Sequence, residues 1–431
     1  MSDGKEKIIT NPHLYKIDGE IGRFAFVTHS ILDGNQCQYN TARSIFPSLQ
    51  GPEFYKTTGF KEIAMIYGDT EQSYRKTAEL INRVRYQLQG GTPSRTLHEC
   101  TEKEGGDVLN HIEEKTRSIL AENDFSESGI CENVKSEYNN DQPAKVIKTQ
   151  LLEAIDNCLQ DKKDINIEDI LKNPVPYEDP KQSTNIAIDD VNVKKQEEAR
   201  PGGIKPERGK RKYIHNSIAH ISKESIGYYV LNGHGIKNVL LFVMAFIFKN
   251  GLIGTRMQFF TDGHKMLNDV IFNCFYWYKN IGIILDWFHL EKKCKEQLSL
   301  ALTGRIVRNE ILEGLMPLLW YGLTDEAILH CIKIPKESIK NSKAFHKFIA
   351  YLTRNKPYIP CYAVRKELGL CNSSAIGEKM NDLIVSERQK NNGMSWSKSG
   401  SVALATISAL KRNKESDRWF ETKTLDYRLA A

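Results

Sequence analysis

The alternation of apolar and polar positions is clearest in the second half of the chain, where strand-like and helix-like periods follow one another. The predicted elements are strands over 185–193, 213–221 and 226–231, a helix over 236–250, a strand over 257–261, a helix over 265–278 and a strand over 281–285. The first three strands follow one another without a helix, as in an antiparallel meander. Helices separate the later strands, so these should pair in parallel and give an α/β fold with a mixed sheet.

The N-terminal half has a weaker pattern, and helical spacing is clear only between residues 74 and 105. Gly90–Pro93 interrupts this stretch, Ser94 can cap a second helix over 95–103, and Gly105 is predicted to end it. Two helices joined by a tight turn, the second carrying Arg95, are typical of a DNA-reading helix-turn-helix. An ordinary helical hairpin fits the pattern equally well.

Composition shifts along the chain predict its domain organisation. The predicted regions are 1–65 of unclear fold, a helix-turn-helix-like DNA-binding region at 66–120, an acidic linker with one helix at 121–183, a catalytic α/β domain at 184–420, and a tail at 421–431. Residues 291 to about 370 carry Leu, Ile and Ala at helical spacing with few strand signals, which predicts a helical insertion within the α/β domain.

Composition excludes several classes of protein. With 431 residues, 40% of them hydrophobic and 26% charged, the chain can bury a sizeable core. Its longest apolar run, Val239–Phe248, is half the roughly 20 residues that a membrane span requires. The start of the chain lacks the apolar stretch of a secretory signal, and nine cysteines without paired spacing favour a reducing compartment. We therefore expect a cytoplasmic protein with no membrane partner.

Charge is distributed unevenly and suggests the partner. The net charge is +6, yet residues 99–180 contain 20 Asp and Glu against 9 Lys and Arg, so the rest of the chain is strongly basic. Such a surface favours a polyanionic partner, most often a nucleic acid, and a cationic surface that only aids solubility is the alternative. The basic residues predicted to contact DNA are Arg95, Lys210, Arg211, Lys212, Lys292, Lys293, Arg388, Lys390 and Lys398, with Trp396 as a stacking aromatic.

Carboxylates at strand ends are the candidate chemistry. Asp262 and Asp286 each follow an apolar strand, and Asp189 and Asp190 lie near the end of the first strand. Parallel strands bring their carboxyl ends to one edge of a sheet, where a divalent cation would offset the cost of gathered carboxylates. Two Mg²⁺ ions about 4 Å apart can stabilise both the attacking oxygen and the leaving oxygen when a phosphodiester bond is cleaved. The alternative is that Asp262 belongs to a turn and Asp286 caps a helix.

A third carboxylate is available at a helix start further along the chain. Asn372 or Ser374 can cap a helix whose first turn contains Glu378, off the apolar stripe of that helix. There Glu378 could face the sheet edge, or it could simply favour the helix dipole.

Several of these motifs resemble the DDE transposases of bacterial insertion sequences, in particular the mutator-related group. The matching stretches are Thr261-Asp262-Gly263, Leu285-Asp286-Trp287-Phe288-His289-Leu290, Asn-x₅-Glu-x₂-Asn over 372–381, and Glu387–Lys390 with Gly393–Ser397. The resemblance covers roughly residues 184–420. It is weaker at the first acid, where Asp189 and Asp190 compete and the family pattern favours Asp189.

The resemblance implies an RNase H-like catalytic domain with an all-helical insertion. It implies that Asp189, Asp262 and Glu378 hold two Mg²⁺ ions, for which Mn²⁺ can substitute, with Asp286 and His289 in support. The implied partner is double-stranded DNA, as transposon ends and as target. The implied activity is cleavage and strand transfer of that DNA by an oligomer of this chain, associated with the bacterial nucleoid. Two alternatives remain: a non-catalytic DNA-binding repressor derived from a transposase, and an RNase H-like nuclease without strand transfer.

Overall fold

The computed structural model divides the chain into two compact units. The structure describes residues 8–33, 37–40, 54–70, 73–87, 89–140, 143, 145–160, 165–196, 212–390 and 394–429. One unit is formed by 1–109, 194–211 and 388–425, and the other by 110–193, 212–387 and 426–431. We call these the first and second unit. Neither is a continuous stretch of chain.

Strands and helices are numbered separately in chain order. The strands are β1 (Ile8–Gly19), β2 (Gly22–Asp33), β3 (Cys37–Asn40), β4 (Phe54–Lys56), β5 (Ser183–Lys194), β6 (Tyr213–Lys223), β7 (Gly227–Gly233), β8 (Arg256–Thr261) and β9 (Ile281–Leu285). Among the described residues, the α-helices of five or more residues are α1 (Thr58–Thr70), α2 (Tyr74–Val84), α3 (Ser94–Glu122), α4 (Lys148–Leu159), α5 (Ile167–Leu171), α6 (Ile236–Lys249), α7 (Lys265–Cys274), α8 (Trp287–Ala301), α9 (Arg305–Trp320), α10 (Thr324–Ile332), α11 (Ser342–Asn355), α12 (Tyr362–Glu367), α13 (Ala375–Asn381), α14 (Lys398–Arg412) and α15 (Ser416–Thr422).

The second unit is built on a five-stranded mixed sheet. Its strand order is β7-β6-β5-β8-β9, with β6 and β7 antiparallel and β5, β8 and β9 parallel. This confirms the predicted α/β class and its RNase H-like arrangement. Along β5, Ile186 and Ile188 are buried on one face, while Ala187 and Asp189 lie on the other, less buried face. That alternation, with a period of two residues, fixes the face on which Asp189 lies.

The helical insertion forms its own core in the second unit. Between residues 291 and 370, all of them described, the chain contains helices and short helical turns but no strand, as the sequence predicts. The apolar faces of α8, α9 and α11 meet there, and Leu298, Leu315, Leu319, Phe348 and Leu352 are fully buried. Leucine and phenylalanine at helical spacing explain this core.

The acidic segment differs from the predicted linker. Helices α4 and α5 lie within it, and Ile155 and Ile170 are fully buried beside Tyr321 and Val364. The segment has few apolar residues, but these lie at positions that are buried in the fold. Its average composition is acidic and therefore did not indicate this packing. The predicted tail is also packed, since Tyr427 is fully buried and donates a hydrogen bond to the Phe242 carbonyl at 3.0 Å.

The first unit combines a four-stranded sheet, of order β3-β2-β1-β4, with helices, of which α1 and α3 pack against α14. Every residue of α14 from Gly400 to Leu410 is buried. The prediction that Gly105 ends a helix is wrong, because α3 continues through it to Glu122. A Cβ atom on Gly105 would lie 2.4 Å from the Ala403 carbonyl oxygen. This glycine therefore allows α3 and α14 to approach closely. In the sequence alone, a glycine with this role looks the same as a glycine that ends a helix.

Within the described ranges, no helix combines the length and the apolar character that a membrane crossing would need.

Candidate active site

The three carboxylates predicted for catalysis line one pocket of the second unit. Asp189 lies in the later part of β5, Asp262 directly follows β8, and Glu378 lies in the first turn of α13. His289, from the first turn of α8, lines the same pocket. The sheet, α8 and α13 thus bring together residues that are up to 189 positions apart in the chain.

Asp189 and Asp190 have different environments. Asp189 faces the pocket, and its Oδ2 atom accepts a hydrogen bond from Asn381 Nδ2 at 3.1 Å. Asp190 accepts a hydrogen bond from the Ser217 hydroxyl instead and does not line the pocket. Limited hydration of the carboxyl group, together with repulsion from Asp262 and Asp190, raises the pKa of Asp189. The geometry therefore favours Asp189 over its neighbour.

The loop that carries Asp262 is held in place by its own turn and by α11. Asp262 Oδ1 accepts a hydrogen bond from the His264 amide at 2.8 Å, and Tyr351 donates its hydroxyl to the Asp262 carbonyl at 3.2 Å. Gly263 has φ +77°, and a Cβ atom there would lie 2.8 Å from Leu285. Only glycine fits this left-handed, crowded position without strain. Asp262 therefore forms a turn with its own side chain, which is the alternative that the sequence offered, and it also lines the pocket.

Asp286 is fully buried and anchors the segment that precedes Glu378. It caps α8 by accepting the His289 amide at 2.9 Å, and it also accepts the Ser374 hydroxyl at 2.7 Å and the Ser374 amide. Two further hydrogen bonds hold this segment: the Trp287 amide donates to the Asn372 carbonyl at 3.1 Å, and the Arg365 guanidinium donates to the Cys371 carbonyl at 2.6 Å. Asp286 is therefore a helix cap that also positions the start of α13.

Glu378 approaches the sheet because of a glycine. A Cβ atom on Gly377 would lie 2.6 Å from the Cβ atom of Ala187 on β5, so α13 lies directly on the face that carries Asp189. Glu378 Oε1 is 3.0 Å from His289 Nε2. Partial burial raises the pKa of Glu378, against the opposing attraction of His289.

The donor set suits a hard divalent cation. Carboxylate oxygens are the ligands that Mg²⁺ takes in proteins, and three of them share this pocket. They are not already gathered around one point: across the described ranges, no three His, Cys, Asp or Glu side chains form a group that could hold a metal ion. Each carboxylate is instead hydrogen-bonded or paired within the protein, to Asn381, to the His264 amide and to His289.

The basic residues predicted to contact DNA have different exposures. Lys212, Lys292, Lys390 and Lys398 are exposed, as is Arg95, which pairs with Glu99 at 2.8 Å. Lys293 is half-buried, with its ammonium group 6.0 Å from the centre of the Tyr351 ring. Lys210 and Arg211 lie outside the described residues.

Arg388 and Trp396 require a correction, because both are buried in the first unit. Arg388 is 4% exposed, donates to the Gly68 carbonyl at 3.1 Å, and lies over the rings of Tyr74 and Trp396. Trp396 is also 4% exposed and donates to the Gln389 carbonyl at 3.2 Å. Cation–π stacking within the protein uses the same residue types as base stacking, so the sequence alone did not separate the two roles.

Three other residues that line the pocket have no place in the predicted site, although Ser374 is predicted as a helix cap. These are His220 on β6, Ser374 before α13, and Asn381 at the end of α13. Asn381 belongs to the Asn-x₅-Glu-x₂-Asn stretch, and its spacing from Glu378 could have indicated a second polar residue on the same helix face. His220 carried no such signal, because β6 contains several other polar residues, among them Asn216 and Ser217.

Comparison with known proteins gives little further information. Neither a protein-family model nor a curated protein sequence matches this chain. Among solved structures, the chain is similar to a Drosophila P element transposase strand transfer complex, with 10% sequence identity and a TM-score of 0.26 over 89% of this chain and 85% of that chain. Any argument about function therefore depends on the site itself.

Proposed function

We propose that this chain is a transposase that cuts and joins DNA by metal-dependent phosphodiester chemistry. The observation that carries the proposal is the meeting of Asp189, Asp262 and Glu378 in one pocket of an RNase H-like sheet. In the first reaction, water attacks the phosphorus and a phosphorus–oxygen bond breaks, which leaves a 3′-hydroxyl. In the second, that hydroxyl attacks a phosphodiester of the target DNA and displaces another 3′-oxygen.

The cofactor of the proposed reaction is a pair of Mg²⁺ ions, with Mn²⁺ as a substitute. Asp189, Asp262 and Glu378 would hold them, and bound ions would lower the pKa of water and stabilise charge on the leaving oxygen. The protein's own contribution is orientation. Asn381 fixes the carboxylate of Asp189, the His264 amide fixes that of Asp262, and His289 fixes that of Glu378.

Exposed cations near the pocket supply a surface for the DNA backbone. Lys265 begins α7, just after the Asp262 turn, Lys292 follows His289 by one turn of α8, and Lys379 adjoins Glu378; all three are exposed. The three lysines lie on α7, α8 and α13, and each of these helices also carries a residue that lines the pocket. Contacts to phosphate oxygens give affinity without base specificity, as expected for an enzyme that also accepts target DNA. An oligomer is part of the proposal, because two DNA ends must be joined.

The proposal is tested with purified full-length protein, Mg²⁺ or Mn²⁺, and DNA that carries the repeats flanking its own gene. We expect nicking at the repeat ends and transfer of a labelled 3′-end to target DNA. Asp262→Asn should abolish both reactions while DNA binding persists. Lys366→Asn, an exposed residue of α12 outside the pocket, serves as the control substitution.

The outcomes separate this function from the two alternatives. Cutting without end joining would indicate a nuclease of the same fold. Binding of the repeats without cutting in either metal would indicate a repressor. Full activity of Glu378→Gln would remove Glu378 from the proposed catalytic set.

A further inference from the structure

One pocket residue has no role in the function proposed above. His220, on β6, lines the pocket together with the three carboxylates, yet only 4% of its surface is exposed. Its ring stacks on that of Tyr228, with 5.4 Å between centres and 23° between planes. The stacking and the surrounding strand fix the position of the imidazole.

The Nε2 atom of His220 is buried and has no hydrogen-bond partner among the described residues. Buried polar atoms normally have partners, because an unpaired one keeps the full cost of its lost hydration. Because His220 lines the pocket, a molecule bound there can supply the missing partner once a small shift of the ring exposes Nε2.

The chemistry of this nitrogen limits what it can do. Burial lowers the pKa of His220 to about 4, so the imidazole is neutral near pH 7. A group with so low a pKa is a poor general base at that pH, since proton transfer is most efficient when the pKa is near the working pH. A neutral imidazole with its hydrogen on Nε2 can still donate a hydrogen bond to an oxygen atom.

We propose that His220 is a further catalytic residue, whose Nε2–H donates a hydrogen bond to a non-bridging oxygen of the scissile phosphodiester. This inference rests on the proposed function, because the phosphodiester is the substrate of that function. His220 would complement the carboxylates: they require a cation before an anionic substrate can approach, whereas a neutral donor attracts the phosphate oxygen directly.

The first experiment compares His220→Phe with the wild type in single-turnover cutting at saturating DNA. Phenylalanine keeps the ring and its stacking on Tyr228 but removes the donor. We expect the cutting rate to fall about 10- to 100-fold, the range for a lost hydrogen bond to a charged acceptor, with DNA affinity unchanged. His215→Phe, an exposed residue of the same strand, should cut at the wild-type rate. A wild-type rate for His220→Phe would overturn the proposal.

The second experiment separates a contact from a packing role. The scissile phosphate is replaced by each of its two phosphorothioate diastereomers. Sulfur at the oxygen that accepts from His220 should slow the wild type but add little to the defect of His220→Phe, while sulfur at the other oxygen should slow both proteins equally. Equal slowing of both proteins by both diastereomers would show that His220 acts only through packing and would overturn the proposal.

A third measurement does not depend on cutting. Full-length protein with ¹⁵N-labelled histidine is titrated with the dinucleoside phosphate TpT in the presence of Mg²⁺, and His220→Asn identifies the His220 signals. A shift of the Nε2 signal supports the contact even if wild-type protein proves unable to cut DNA, in which case only the proposed function fails. An unchanged Nε2 signal at saturating TpT would overturn the contact itself.

Discussion

Two adjacent carboxylates on β5 illustrate how far single residues determine the site. Asp189 and Asp190 are chemically identical, and the sequence alone left both as candidates for the first acid. Their difference arises from strand geometry, which points successive side chains to opposite faces. Asp189 thereby lines the pocket, and Asp190 reaches Ser217.

We expect Asp189→Asn to reduce DNA cutting at least about 100-fold, because a neutral amide cannot provide the charge that the proposed chemistry requires. Asp190→Asn should cut within about threefold of the wild type, since an amide oxygen can still accept the Ser217 hydroxyl. The two substitutions are at adjacent positions and make the same chemical change, so each is a control for general effects of the other on folding. Cutting assays and thermal unfolding of both variants provide the check. Equal loss of activity in the two would contradict the assignment.

A buried carboxylate of the first unit gives a prediction about stability and pH. Glu104, on α3, is 2.6 Å from Lys61 Nζ and 2.7 Å from Lys423 Nζ. Burial alone would raise its pKa, but the hydrogen bonds from Lys423 and Lys61 outweigh burial, and the pKa of Glu104 is lowered from its ordinary value of 4.5. A lowered pKa in the folded protein means that the charged carboxylate stabilises the fold above pH 4.5 and that this contribution is lost as the pH falls further.

Glu104→Gln should therefore lower the free energy of unfolding by about 1–2 kcal/mol at pH 7, a value discounted for the partial exposure of both lysines. The deficit should shrink as the pH falls below 4.5. Denaturant unfolding at pH 7 and at pH 3.5 measures it. Glu99→Gln, in an exposed pair with Arg95, should change stability by less than about 0.5 kcal/mol at either pH. A deficit that grows toward low pH would be inconsistent with the lowered pKa.

At the scale of elements, periodicity predicted most of the second unit, because strands and helices with buried faces leave a regular apolar pattern. It could not predict which glycines allow elements to pack. Gly105 interrupts a helical pattern and was interpreted as its end, whereas it allows α3 and α14 to approach. Gly377 likewise carried no signal of its contact with Ala187. Such contacts join residues far apart in the chain, so no local pattern shows them.

Gly377→Ala should displace α13 from β5 and move Glu378 with it, because the new methyl group would meet Ala187 at 2.6 Å. Displacement of a catalytic group by about 1 Å can cost on the order of 100-fold in rate, and we expect a loss of that size. The double variant Ala187→Gly with Gly377→Ala removes the opposing methyl group and should recover most of the activity. Gly106→Ala, on α3, is the control, because nothing lies within 4 Å of its new Cβ atom. Failure of the double variant to recover would mean that Gly377 acts through something other than this contact.

At the scale of the whole molecule, composition suggested domains that follow one another along the chain, while the structure groups distant segments. The last segment of the first unit, residues 388–425, packs with the N-terminal residues of that unit. Asp69 of α1 pairs with Lys411 at 2.9 Å and accepts the Ser408 hydroxyl, and Ser397 donates to Glu102 of α3 at 2.8 Å. Composition records how polar a segment is on average, so it cannot show which segments pack together.

The fragment 184–420, which the sequence predicts as a catalytic domain, is therefore not expected to fold alone. Without residues 1–183, the buried stretch Gly400–Leu410 of α14 would lose its packing partners on α1 and α3, and the second unit would lose the buried Ile155 and Ile170. At about 1.5–3 kcal/mol for each fully buried Val, Leu or Ile, the burial lost is comparable to the 5–15 kcal/mol that stabilises a typical protein. We expect the fragment to aggregate or to lack a cooperative unfolding transition, and co-expression with 1–183 to restore soluble protein. A monomeric fragment 184–420 that unfolds cooperatively and cuts DNA would contradict this, and would show that the packing of α14 contributes little to the stability of the chain.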